Sequence, residues 1–227
     1  MSILAVKQTN RYYKCAKISE RKLRRIIHYF ALDLTAYQTA ELIGMTHKSV
    51  NEVFLKLRHR IFEESENSSY LSDCIKTNEI AYRTNKENIE SQSQTKNKIT
   101  MFGIYRRQNL ILTDFIYETD KLFQLIDGQQ FTAESISDSE SWQKYDGVVD
   151  VVKLKYLRVF NKQKLKGQTK PNGSESFWSF TKRRLQRFNG VPEHTFYLHL
   201  KECEFRYNHR QQDINQILLK LCEKSPI

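Results

Sequence analysis

Between Ile18 and Phe62 apolar side chains recur at helical spacing three times, and the recurrence breaks sharply at Gly44-Met45-Thr46. In ISERKLRRIIHYFALDL (18–34), Ile18, Leu23, Ile26, Ile27, Phe30 and Ala31 make one stripe, with Ser19 placed to cap the helix and Glu20 in its first turn. TAYQTAELI reads as a short helix and HKSVNEVFLKLRHRIF as a longer one. Ala40, Leu42, Ile43, Val50, Val53 and Leu57 can pack those two together, while Gly44 permits the reversal between them. Stripes of this kind must be buried against one another, so the segment is expected to be a helix-turn-helix module. Its second helix would present His47, Lys48, Ser49, Asn51 and Glu52 outward, where a recognition helix meets base edges; Arg58 is expected to add a phosphate contact. Helical bundles use the same hairpin, and the shape by itself leaves both readings open.

Charge separates them. Residues 11–60 hold 11 Lys+Arg against 4 Asp+Glu, residues 61–150 hold 9 against 16, and residues 151–210 hold 14 against 4. Two basic blocks flanking an acidic middle suit a protein that displaces counterions from a nucleic-acid backbone. A run of about 18 apolar residues, the length needed to cross a bilayer, is absent, and Met1 to Asn10 lacks a secretory signal pattern. No membrane association is expected, and a soluble cytoplasmic protein follows. Cys15, Cys74, Cys203 and Cys222 form no CxxC pair and read as reduced thiols.

EESENSSYLSD (63–73) is a polar break, and the expected domains are 1–66 and 67–227. Beyond it IKTNEIAY, ITMFGIYRR and LILTDFIYE read as strands, TDKLFQLIDGQQ as a helix and KYLRVF as a further strand. Helices are expected over 174–188, 193–208 and 211–223, completing an α/β fold with a mixed sheet of the ribonuclease H type and C-terminal helices.

The stretch NGSESFWSFTKRRLQRFNGVPEHTFYLHLKECEFRYNHR places Glu175 and Lys182 seven residues apart, about 10 Å of helical rise on one face. Lys182, Arg183, Arg184 and Arg187 are expected to grip a phosphate backbone, whereas Trp178 at helical spacing belongs more often to a core than to a stacked base.

This stretch resembles the C-terminal signature of the ISXO-like insertion-sequence transposases, DDE recombinases of the ribonuclease H fold. The resemblance extends to WQKYDGVVDV, to the spacing from NEIAY to MFGIYRR, and to KISERKLRRIIHYFALDLTAYQTAELIG. It implies acids that hold two divalent metals, Mg2+ or Mn2+, for in-line phosphoryl transfer. Glu175 takes the third acidic position and Lys182 the downstream basic one. Asn78 falls where the first aspartate belongs, an amide in place of a carboxylate. The second acid falls on Glu140, with Asp138 two residues earlier as the alternative on the same strand face. NKENIESQSQTKNK stands where the resemblance implies a Gly-rich basic loop. The resemblance thus implies a nucleoid-associated bacterial protein that binds terminal inverted repeats and target DNA as a possible homo-oligomer. By the same resemblance the catalytic acids are expected to be degenerate, so that the protein would cut and join strands weakly or act only as a binder at transposon ends.

Overall fold

The computed structural model describes residues 10–14, 18–67, 99–107, 110–117, 145–150, 155–158, 173–188 and 191–227. They are mixed α and β, mostly helical, and divide into two compact units, Met1–Glu64 with His209–Ile227 and Ser65–Asn208.

In the first unit α1 (Glu20–Ala31) starts at Ser19, whose side chain accepts from the Lys22 amide, and it buries Leu23, Ile26, Ile27 and Phe30. Thr35 and Gln38 form a reciprocal capping box at the head of α2 (Ala36–Ile43). Gly44 ends that helix at φ 67, a left-handed conformation that a side chain would strain, and its N–H donates to Ala40 O at 3.0 Å. Thr46 then caps α3 (His47–Asn67), accepting from the Ser49 amide at 3.2 Å. Val50, Val53, Phe54, Leu57 and Ile61 are all buried, and Phe54 meets Phe30 edge-on with ring centroids 4.9 Å apart.

A fourth helix, Ile214–Lys224, belongs to this same unit and packs on α1. Residues 211–223 were expected to complete the second domain; instead Leu218 and Cys222 are buried in the first unit. Burial explains the difference: an apolar stripe on an eleven-residue helix can only be hidden by a complementary stripe, and nothing local identifies which one.

The second unit is built on β1 (Ile99–Arg107), β2 (Leu110–Tyr117), β3 (Gly147–Asp150) and β4 (Lys155–Arg158), in the order β2-β1-β3-β4. Every pairing among them is antiparallel, in place of the expected mixed sheet. Two residues separate β1 from β2 and four separate β3 from β4, connections too short for anything but antiparallel neighbours. The strand expected at 99–107 is present, and that expected at 110–118 is described as Leu110–Tyr117; β3 was not anticipated, four residues being too few to show a period. The expected strand at 75–82 and helix at 119–130 lie outside the described residues.

Alternation divides the sheet into two faces. Phe102, Ile104, Ile111 and Val149 pack against Phe177 and Trp178 of α4 (Gly173–Gln186) and against Leu200 and Cys203 of α5 (Phe196–Asn208). Trp178 is therefore a core side chain, set edge-on to Phe102 at 5.9 Å. On the opposite face Tyr145 lies flat over Gly103, where a Cβ would come within 2.6 Å of three ring carbons. The Tyr145 hydroxyl donates to Asp114 Oδ2 at 3.3 Å.

Candidate nucleic-acid interface

The first turns of α3 carry His47, Lys48, Asn51 and Glu52, all exposed, while Val50, Val53 and Phe54 on the other side are buried. Positions one and four apart form a single outward patch. Ser49 is half-buried, and its hydroxyl meets that of Thr46 at 2.9 Å, so it serves the helix cap. The Tyr37 ring, 63% exposed on α2, lies 6.4 Å from the His47 ring. Its hydroxyl is bonded to Glu41, whose carboxylate pushes the Tyr37 phenol up from its ordinary value. Arg21, Lys22 and Arg25 of α1 are exposed as well, and Arg25 Nη2 donates to Leu42 O at 3.2 Å across the end of α2.

Arg58 does not join them. It is 5% exposed, with its guanidinium 5.7 Å from the Phe30 ring and 5.9 Å from the Phe54 ring. The phosphate contact expected of it is sterically closed, because a helix that buries Phe54 and Leu57 also turns position 58 inward.

On α4 the exposed positions include Ser179 and Arg183, and Arg187 is exposed in the turn just after it; Glu175 and Lys182 are half-buried. Arg183 Nε donates to Ser179 O at 3.3 Å. Arg184, expected in the same clamp, is 4% exposed and donates from Nη2 to Glu202 Oε1 at 2.5 Å. That oxygen also accepts from Arg206 Nε at 2.8 Å, so a carboxylate with no exposure sits between two buried guanidinium groups. A few residues away Lys201 Nζ donates to Glu204 Oε2 at 3.0 Å. Three of the positive charges in the C-terminal basic block are thus internal. The outward charge of α4 and the turn that follows it comes from Arg183 and Arg187, with Lys182 beside them.

Of the expected acids only Glu175 is among the described residues; Asn78, Asp138 and Glu140 fall outside them. Two other carboxylates emerge in the sheet. Asp114 pairs with Gly103 and Asp150 with Met101, so both share the face turned away from α4 and Glu175. They are 9% and 8% exposed. Among the described residues no three Asp, Glu, His or Cys side chains converge as a metal cluster, and no helix is long and apolar enough to cross a membrane.

Sequence reasoning missed the polar stripe of α5. Lys201, Glu204 and Asn208 lie one and then two turns apart along one side, and all three reach the outer edge of β2. The signal was the spacing K-x-x-E-x-x-x-N along one side of the helix.

No family profile and no solved structure matches this chain. Over 95 residues, 41% of this chain and 76% of the other, it is 34% identical to a protein of Haemophilus influenzae (strain ATCC 51907 / DSM 11121 / KW20 / Rd) described as an uncharacterized transposase-like protein. With identity at that level over three quarters of the relative, the chain belongs to the transposase-like family.

Proposed function

We propose that this protein is an insertion-sequence transposase by descent, of the ISXO-like kind, whose first unit binds duplex DNA at transposon ends. The observation that carries the reading is the α3 patch of His47, Lys48, Asn51 and Glu52. It stands clear of solvent-excluded Val50, Val53 and Phe54, beyond a left-handed turn at Gly44. A helix-turn-helix inserts such a patch into the major groove, where Lys48 and Asn51 have the donors to read base edges. Arg21, Lys22 and Arg25 supply phosphate contacts on the first unit, and Arg183 and Arg187 on the second.

The second unit takes the ribonuclease H-like role in strand cutting and joining, with terminal inverted repeats and target DNA as substrates. It acts with the nucleoid in the cytoplasm, as a homo-oligomer on paired ends. Mg2+ or Mn2+, when bound, would activate the attacking oxygen and stabilise the leaving one. The half-buried Glu175 carboxylate is an oxygen donor suited to a hard cation, and Glu140 or Asp138 would supply a second. Lys182, two turns along from Glu175, orients the DNA. Asn78 removes one full negative charge from that set, which favours a second reading: a DNA-binding member of the family that cuts poorly and competes at transposon ends.

Binding to duplex oligonucleotides carrying the element's own ends, followed by anisotropy across a salt series, tests the first claim. Affinity should fall by about 0.9 log units per phosphate contact for each decade of salt, and Asn51→Ala should change the preference between sequences. A salt-independent affinity rejects it. Magnesium-dependent nicking of the same DNA by the native chain and by Asn78→Asp decides between the two readings. Gain of cleavage on restoring the aspartate identifies the impaired enzyme. Equal, robust cleavage by both rejects the binder.

A further inference from the structure

The helix Ile214–Lys224, labelled α6, reaches α1, the end of α3 and the 11–14 segment of the first unit. Its N-terminal end, capped by Asp213, faces the C-terminal end of α1, where Gln212, Ile214 and Asn215 line a shallow cavity with His28, Ala31 and Leu32. Its middle buries Leu218 and Cys222 with no exposure at all. Its far end reaches the last turns of α3: Lys224 Nζ lies 3.9 Å from Glu64 Oε2, and the Arg60 charge is felt at the Cys222 thiol. Glu223 holds Arg11 at 3.2 Å, and Arg11 in turn lies 3.4 Å from Glu20 at the start of α1. Beyond the helix, Ile227 pairs with the 12–14 segment through two backbone bonds, Ile227 N to Tyr12 O at 3.0 Å and Lys14 N to Ile227 O at 3.1 Å.

The helices it joins are weak alone. At 12 and 8 residues, α1 and α2 are shorter than isolated helices that persist in water, so their order comes from packing. The position of α3 in turn depends on α1 through the Phe30–Phe54 contact, and the end of α2 is tied to α1 by Arg25.

We propose that residues 209–227 license DNA binding: α1, α2 and α3 hold the His47–Glu52 patch in binding geometry only while α6 is docked on α1 and the end of α3. A chain in which that segment is cleaved or displaced keeps its second unit and loses its grip on DNA. The proposal rests on the reading that the first unit is the DNA-binding element, and it makes that element discontinuous in sequence, closed by residues about 150 positions beyond it.

Full-length Leu218→Asp and the milder Leu218→Ala test it against Gln216→Ala, an exposed position on the same helix. Hydrogen exchange reads the amides of Leu23–Phe30 and Val50–Ile61 separately from those of β1, β2, α4 and α5, and anisotropy reads binding to duplex DNA. Trp178 fluorescence reports the second unit. In Leu218→Asp, exchange in α1 and α3 should quicken at least tenfold and affinity fall at least tenfold. Leu218→Ala should lie between it and the native chain, and Gln216→Ala should match the native chain. Exchange in the second unit and Trp178 fluorescence should hold; should the aspartate unfold both units, Leu218→Ala carries the same comparison. Native affinity in Leu218→Asp with α6 undocked, or unchanged exchange in α1 and α3, overturns the proposal alone. Failure of the native chain to bind duplex DNA overturns the DNA-binding reading and the proposal with it.

Discussion

Asn208 holds Ile111 by both backbone groups: Nδ2 donates to Ile111 O at 2.8 Å and Oδ1 accepts from Ile111 N at 2.9 Å. Glu204 and Lys201 repeat the arrangement two residues along, accepting from Thr113 N at 2.9 Å and donating to Thr113 O at 3.0 Å. Among the described residues no strand pairs with this side of β2, and three side chains of α5 satisfy its backbone groups instead. An edge left bare would recruit another chain.

Asn208→Ala should destabilise the second unit by about 2–4 kcal/mol, since two backbone groups lose their partners at a part-buried site. Urea unfolding followed by tryptophan fluorescence measures this. Concentration-dependent association of the variant is expected at the same time, read by light scattering. A variant as stable and as monodisperse as the native chain would show that the edge needs no such cover.

Glu202→Gln should cost more than any neutral-surface change, about 3–5 kcal/mol, because it leaves the buried guanidinium groups of Arg184 and Arg206 without their shared carboxylate. Thermal unfolding is the readout. A loss below 1 kcal/mol would mean that the two arginines find water or another acceptor on relaxation.

Adjacent arginines of α4 should behave as different kinds of residue. Arg183→Gln and Arg187→Gln should each lower the slope of log affinity against log salt by about 1 without moving the melting temperature. Arg184→Gln should lower the melting temperature, because its head group is inside against Glu202. Equal effects of all three on the salt slope would contradict their division into outward and inward groups.

Burial pushes the Cys222 thiol up to about 11 from an ordinary value of 9.0. A raised folded value means that the stabilisation is fully present below pH 9 and is lost as pH rises through 11. The loss is on the order of 2–3 kcal/mol. The first unit should therefore melt at lower temperature at pH 11 than at pH 8, and part of that difference should vanish in Cys222→Ala. Below pH 9 a thiol reagent should reach Cys222 only as fast as α6 undocks. A pH-independent difference between Cys222→Ala and the native chain would refute the assignment.

The first half of this protein was legible because its information is local. Ser19, the Thr35–Gln38 box, Gly44 and Thr46 punctuate helices whose apolar stripes already show a period of 3.6. The helices expected over 18–34 and 47–62 lie at 20–31 and 47–67. Strands β1 and β2 were legible for the same reason, each being long enough to alternate. The tertiary structure alone decided the fate of the charges. Arg183 and Arg184 are neighbours with one chemistry, and a helical step of 100° turns one to water and the other to Glu202, a partner eighteen residues away. Arg58 was turned away from the outward patch in the same manner, to the rings of Phe30 and Phe54. Ile214–Lys224 carries too short a pattern to name the surface that covers it, and it joins α1 nearly 190 residues earlier. Whether a cation is solvated or buried, and which stripe meets which, depends on groups brought together by the fold. The free energy of burying a charge is set by that distant partner, which no window of sequence contains.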